Sequence, residues 1–297
     1  MIKDTMKAYG YTHSFVKALK AASHDIKDLP IETIATGCGM ALRTIVHKDL
    51  CPSAMSVFDW NLLKVGTNNL GFESQVITRM WEEDHLEVER RQAAHQMIVD
   101  SKYPIIAWDL SVPEWEVIKE VDEEHSTYKG VSVTGANLEL DFDKLGRREI
   151  PVLFVMTITG WNEPQKLIDK LLNIIVDHNE GKEAIALPDY KEGYEAYDHW
   201  INKMTTLESD DFDSRYYFET YKEMKEHAAK YFQEFAKKDE TYTNLSNAFN
   251  ELAKVYENLL SYRNMPDYPD NRDTIISELK SAKAIEKRIY KEAKTLL

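Results

Sequence analysis

The sequence predicts an α+β protein, and three observations predict it. Amphipathic helical spacing opens the chain, short β-branched runs fill the stretch from Ser74 to Gly160, and helical spacing alone governs the chain after Trp161. The change near residue 160 divides the 297 residues into a mixed domain over 1–160 and an all-helical domain over 161–297.

The first helix is predicted over 13–27, where Phe15, Val16, Leu19, Ala22 and Ile26 share one face and Leu29-Pro30 ends the run. A short helix follows over 30–35. Residues 38–46 and 59–66 fit either helix or, at the β-branched Thr44-Ile45-Val46, a strand. From Gly71 the pattern becomes strand (74–81), helix (82–102), then strands at 103–110, 114–122, 129–135 and 151–160. These strands suit a mostly antiparallel sheet. In the second half Leu167, Leu171, Ile174 and Ile175 form a stripe. Tyr217, Tyr221, Met224, Ala228, Tyr231 and Phe235 form the next. Two more run from Leu245 to Leu259 and from Ile275 to Ala293, as in a bundle.

Composition bounds the function. A net charge of −14 argues against nonspecific binding to nucleic acid or to an anionic membrane. The longest apolar stretch, at 150–158, is too short to span a bilayer. No secretory leader is visible at the start, and two cysteines, Cys38 and Cys51, suit a reducing cytoplasm rather than a disulfide framework.

Motifs exclude more than they assign. There is no HExxH, CxxC or complete EF-hand loop, and the acidic pair Asp141 and Asp143 reads as a solvated loop, so neither metal nor cofactor is expected. The nine histidines are scattered; His85 and His95 lie ten apart, which is not a ligand spacing. No G-x-S-x-G elbow, Walker loop or dinucleotide fingerprint occurs. In TGCGM, Cys38 stands between two glycines, either as a thiol opening a helix or as a small residue in a tight bend. Its nearest histidine, His47, would lie about 13 Å away along a helix. Thr12, His13 or Ser14 can each cap the first helix.

The succession of THSFVKAL, ATGCGMALR, YPIIAWDL and PEWEVIKEVD before a helical C-terminal half resembles the C39-like, papain-fold family that includes the N-terminal domain of butirosin biosynthesis protein H. The resemblance implies a papain-like domain, and the family's chemistry is cysteine-based acyl transfer, with thiol peptidases among its C39 relatives. It places Ser14 at the nucleophile position and Cys38 in a later small-residue segment. Glu114 falls at the base position, with Trp115 as the aromatic residue after it, and Glu120-Val121-Asp122 at a turn. Val133 to Asn137 stands where an orienting aspartate is expected, and Ala8 where an oxyanion-hole glutamine is expected. The thiol machinery is therefore substituted throughout.

The resulting expectation is a non-peptidase that binds a small-molecule or peptide-like ligand in a degenerate papain-type cleft. Its walls would include Tyr11, His13, Ser14, Cys38, Trp108, Asp109, Glu114 and Trp115, although Trp108 and Trp115 equally suit a core beneath the sheet. One alternative is an acyltransferase or amide hydrolase using Ser14 or Cys38, with a histidine delivered from elsewhere, such as His13, His125 or His199. Another is a scaffold that forms a homodimer through the helical half, where Tyr190, Tyr194, Tyr197, Tyr216, Tyr217 and Tyr221 would line either an interface or a core edge.

Overall fold

The computed structural model describes residues 1–56, 58–183, 187–206, 212–265 and 268–297. In chain order the helices and strands are α1 (Ile2–Ala8), α2 (Ser14–Ser23), α3 (Ile31–Gly37), β1 (Ile45–His47), α4 (Asn61–Asn69), β2 (Phe72–Arg79), α5 (Glu87–Asp100), β3 (Ile105–Trp108), β4 (Trp115–Asp122), β5 (Thr127–Val131), β6 (Asn137–Asp141), β7 (Leu153–Trp161), α6 (Leu167–Asn179), β8 (Tyr190–Glu192), α7 (Ala196–Thr206), α8 (Phe212–Ala236), α9 (Thr243–Arg263) and α10 (Arg272–Leu296). The protein is α+β, with an antiparallel sheet and a helical C-terminal region. Among the described residues, no helix is long and apolar enough to cross a membrane.

The chain forms two compact units. The first comprises Met1–Ile34 and Leu63–Gln165, the second Ala35–Leu62 and Lys166–Leu297. The division therefore differs from a single cut at residue 160: an early segment belongs with the late helices. Its anchor is β1, three residues that pair antiparallel with β8, Ile45 opposite Glu192. So short a strand has no period to read, and its partner lies far along the chain.

In the first unit a six-stranded sheet runs β2-β7-β3-β4-β5-β6, with every pair antiparallel. Strands β3 and β7 lie inside it and are nearly continuous apolar runs because both of their faces are covered. Ala94 and Ile98 of α5 join Ile105, Ala107, Ile118 and Val155 on one face. On the other, Phe15 of α2 meets Trp115 and Phe154 edge to face, with ring centroids 5.9 and 6.5 Å apart. Strand β6 corrects the reading of Asp141 as part of a loop: it closes the edge of the sheet, pairing Thr127 with Asp141 and Val131 with Asn137.

The second unit is built around Trp200, which is fully buried among Tyr217, Phe218, Tyr221 and Tyr256 at centroid distances of 5.0–6.1 Å. Helices α8 and α9 pack side by side, Phe232 stacking on Phe249 at 4.5 Å. Tyr197, Tyr217 and Tyr221 are core residues. The Tyr221 hydroxyl donates to the Ile45 carbonyl at 2.6 Å and accepts from the Ile45 amide at 2.8 Å, while Tyr217 donates to the Cys51 carbonyl and accepts from the His47 amide. Tyr190, Tyr194 and Tyr216 remain partly exposed.

Candidate functional site

Helix α2 begins where His13, at φ −46° and ψ 129°, leaves the helical region and its Nδ1 accepts the Phe15 amide at 3.2 Å, so His13 is the N-cap. That frees the Ser14 hydroxyl from capping. It donates instead to Glu114 Oε2 and accepts the Trp115 amide at 3.3 Å. The two residues that the resemblance places at the nucleophile and base positions are thus hydrogen-bonded, across 100 residues of sequence. Ser14 is 3% exposed and Glu114 partly exposed.

Glu114 is delivered by the turn between β3 and β4, whose last pair sets Trp108 opposite Trp115. The Asp109 amide closes this turn on the Glu114 carbonyl at 2.9 Å, with Asp109 itself at φ 53°. Burial pushes the Asp109 carboxyl above its usual range. The Ile150 amide at 3.3 Å and Arg148 Nε at 3.4 Å counter only part of that. The Trp108 and Trp115 rings lie 4.6 Å apart, at 3% and 1% exposure, and His13 rests 5.4 Å from Trp115. Both tryptophans form the buried backing of the site, while Tyr11 is 39% exposed.

Cys38 belongs to the second unit. It is 1% exposed, its Sγ faces the Ala35 carbonyl at 3.6 Å, and burial pushes the thiol up to about 11. Gly39, at φ 82°, is the residue that makes the bend. The histidines considered as delivered bases are otherwise engaged. His125 is an exposed turn residue on Asp122, His199 holds the Val46 carbonyl at 3.1 Å in the second unit, and His13 Nδ1 is taken by the Phe15 amide.

Sequence spacing gives no hint of one further cluster. In the second unit His178 Nδ1 lies 2.9 Å from Glu183 Oε2 and 3.5 Å from Glu192 Oε2, a set of donors close enough for a metal ion. The hydrogen bonds argue against that use. His178 Nε2 is already surrounded by backbone, 2.9 and 3.1 Å from the amides of Thr44 and Gly193 and 3.1 Å from the Thr44 carbonyl. Arg43 also occupies both oxygens of Glu183. The cluster is a buried hydrogen-bond network that ties α6 to β1 and β8.

No protein-family model matches the chain, and no curated protein matches it.

Proposed function

We propose that the chain is a C39-like, papain-fold protein without peptidase chemistry that binds a small-molecule or peptide-like ligand where Ser14 meets Glu114. One observation carries this reading: the hydrogen bond from Ser14 at the start of α2 to Glu114 at the entry to β4. A nucleophile helix set against a base-bearing strand is the arrangement that the resemblance implies, and the contact between these positions supports it. Serine needs an adjacent base strong enough to take its proton, normally an imidazole oriented by a third group. A carboxylate in that place is a weaker base but a good hydrogen-bond acceptor, suited to holding a donor group of a ligand.

A second reading uses the same contact. The Ser14 hydroxyl already points its proton at a carboxylate, which is the geometry of acyl transfer or amide hydrolysis through Ser14.

One experiment separates the two. Native protein is treated with a fluorophosphonate, its intact mass is measured and adducts are mapped, and the protein is screened by ligand-observed NMR against capped dipeptides and small amides. The binding reading expects no adduct at Ser14 and hits that disappear in Glu114→Gln. Rapid labelling of Ser14 overturns it in favour of catalysis, and hits that survive Glu114→Gln place the ligand elsewhere.

A further inference from the structure

Two buried charged side chains converge on one residue behind the site. Glu116, next but one to Glu114, is fully buried on β4 and shares the α5 face of the sheet with Ile118. Its carboxylate accepts three hydrogen bonds: from the Ser111 amide at 2.6 Å, the Ser111 hydroxyl at 2.6 Å and the Val133 amide at 3.0 Å. Lys17, one helical turn beyond Ser14 on α2, is 4% exposed, and its ammonium donates to the carbonyls of Val133 and Gly10, each at 3.0 Å. Val133 is therefore held at its amide by an anion from the strand that follows Glu114, and at its carbonyl by a cation from the helix that carries Ser14.

The same carboxylate governs the turn that presents Glu114. Ser111 is the middle of that turn; its amide and hydroxyl are fixed by Glu116, and its carbonyl accepts Arg148 Nη2 at 2.8 Å. The turn's ends are closed by the Asp109 amide on the Glu114 carbonyl. Hydrogen bonds to charged groups are stronger than neutral ones, and inside a protein they are little screened.

We propose that Glu116 and Lys17 are the positioning pair of the Ser14–Glu114 site. Glu116 sets the turn that carries Glu114, Lys17 sets the start of the helix that carries Ser14, and Val133 fixes one to the other. The proposal rests on the reading of Ser14 and Glu114 as the site, but its test needs no ligand. Each of the two acts through the residue it places.

The test is carbon-detected NMR of the Glu114 carboxyl resonance in the full chain at one neutral pH, in wild type, Glu116→Gln, Ser111→Ala and Lys17→Met. Glutamine offers one acceptor oxygen where Glu116 uses two, so Glu116→Gln leaves the amide of Ser111 or of Val133 without its partner. The expected result is a Glu114 carboxyl resonance displaced in Glu116→Gln beyond the spread of repeat wild-type spectra, because the turn no longer holds the carboxyl against Ser14. Smaller moves in the same direction are expected in Ser111→Ala and Lys17→Met. A resonance unchanged in every variant that folds, with only thermal stability reduced, overturns the proposal and leaves the pair as structural ballast. Should Glu116→Gln fail to fold, Ser111→Ala decides, because it deletes one hydroxyl and keeps the carboxylate and both amides. A moved resonance together with a failed ligand screen would keep the positioning pair and remove the binding function.

Discussion

Arg43 donates to both carboxylate oxygens of Glu183, 140 residues along the chain, through Nε to Oε2 at 2.8 Å and Nη2 to Oε1 at 2.5 Å. Both side chains are buried, at 5% and 7% exposure. Burial alone would raise the Glu183 carboxyl, but the Arg43 charge, with the hydrogen bonds from His178 and Arg43, outweighs it and holds the group at about 2 instead of the usual 4.5. A carboxyl lowered on folding adds stability that is complete above its unfolded value and is lost as pH falls through its folded value. Unfolding free energy from urea titrations is therefore expected to drop between about pH 4.5 and pH 2. Arg43→Ala, which strands a buried carboxylate, is expected to cost about 3–5 kcal/mol at neutral pH. A variant as stable as wild type would refute the role of the pair.

His227 on α8 gives a second window. Burial, followed by the charges of Lys230 and Lys222, lowers its imidazole from 6.5 to about 4. The unfolded chain binds the extra proton first, so this contribution is present above pH 6.5 and is lost as pH falls toward 4. His227→Asn is expected to flatten the pH dependence of stability across that interval, by about 3 kcal/mol at most. An unchanged slope would assign the dependence to other groups.

Gly39 adopts φ 82°, and a Cβ added there would lie 2.4 Å from Arg43 Nη1. Gly39→Ala is expected to lower stability by about 1–3 kcal/mol, combining left-handed backbone strain with displacement of the guanidinium. Urea unfolding measures the loss. A loss under about 0.5 kcal/mol would mean that Arg43 moves aside freely.

Cys38 is expected to resist alkylation. With its thiol pushed up to about 11 and its side chain covered, iodoacetamide at pH 8 should modify it far more slowly in native protein than in a urea-unfolded control. Equal rates in the two states would show that the thiol is exposed and activated.

The long periodic segments were the legible part. The stripe from Tyr217 to Phe235 lies on α8, buried as far as Ala228 and half-buried at Tyr231 and Phe235, and the strand readings at 74–81, 103–110 and 114–122 fall on β2, β3 and β4, because burial on one or both faces leaves a period in the sequence. The reading of 129–135 as a strand overlaps β5, but β6 was missed, since its exposed edge carries Glu139 and Asp141 and reads as polar loop. Ser14 and Glu114 entered through the resemblance rather than through spacing, and nothing local pairs them across 100 residues. Lys17 and Glu116 belong to no motif and no spacing. Their burial depends on Gly10, Ser111 and Val133 supplying backbone partners, which no residue pattern announces.

The pairing of β1 with β8 bears on synthesis. As the chain leaves the ribosome, Ile45 to His47 emerge long before Tyr190 to Glu192, and the whole six-stranded sheet is translated in between. The first unit has its complete sequence once Gln165 is out, whereas the segment from Ala35 to Leu62 must wait as an unfinished loop. An expression fragment cut at residue 160 would strand that loop permanently and deprive the helices of β1, Arg43 and Thr44. Fragments that respect the two units would instead require the early segment to be supplied in trans or by circular rearrangement of the gene.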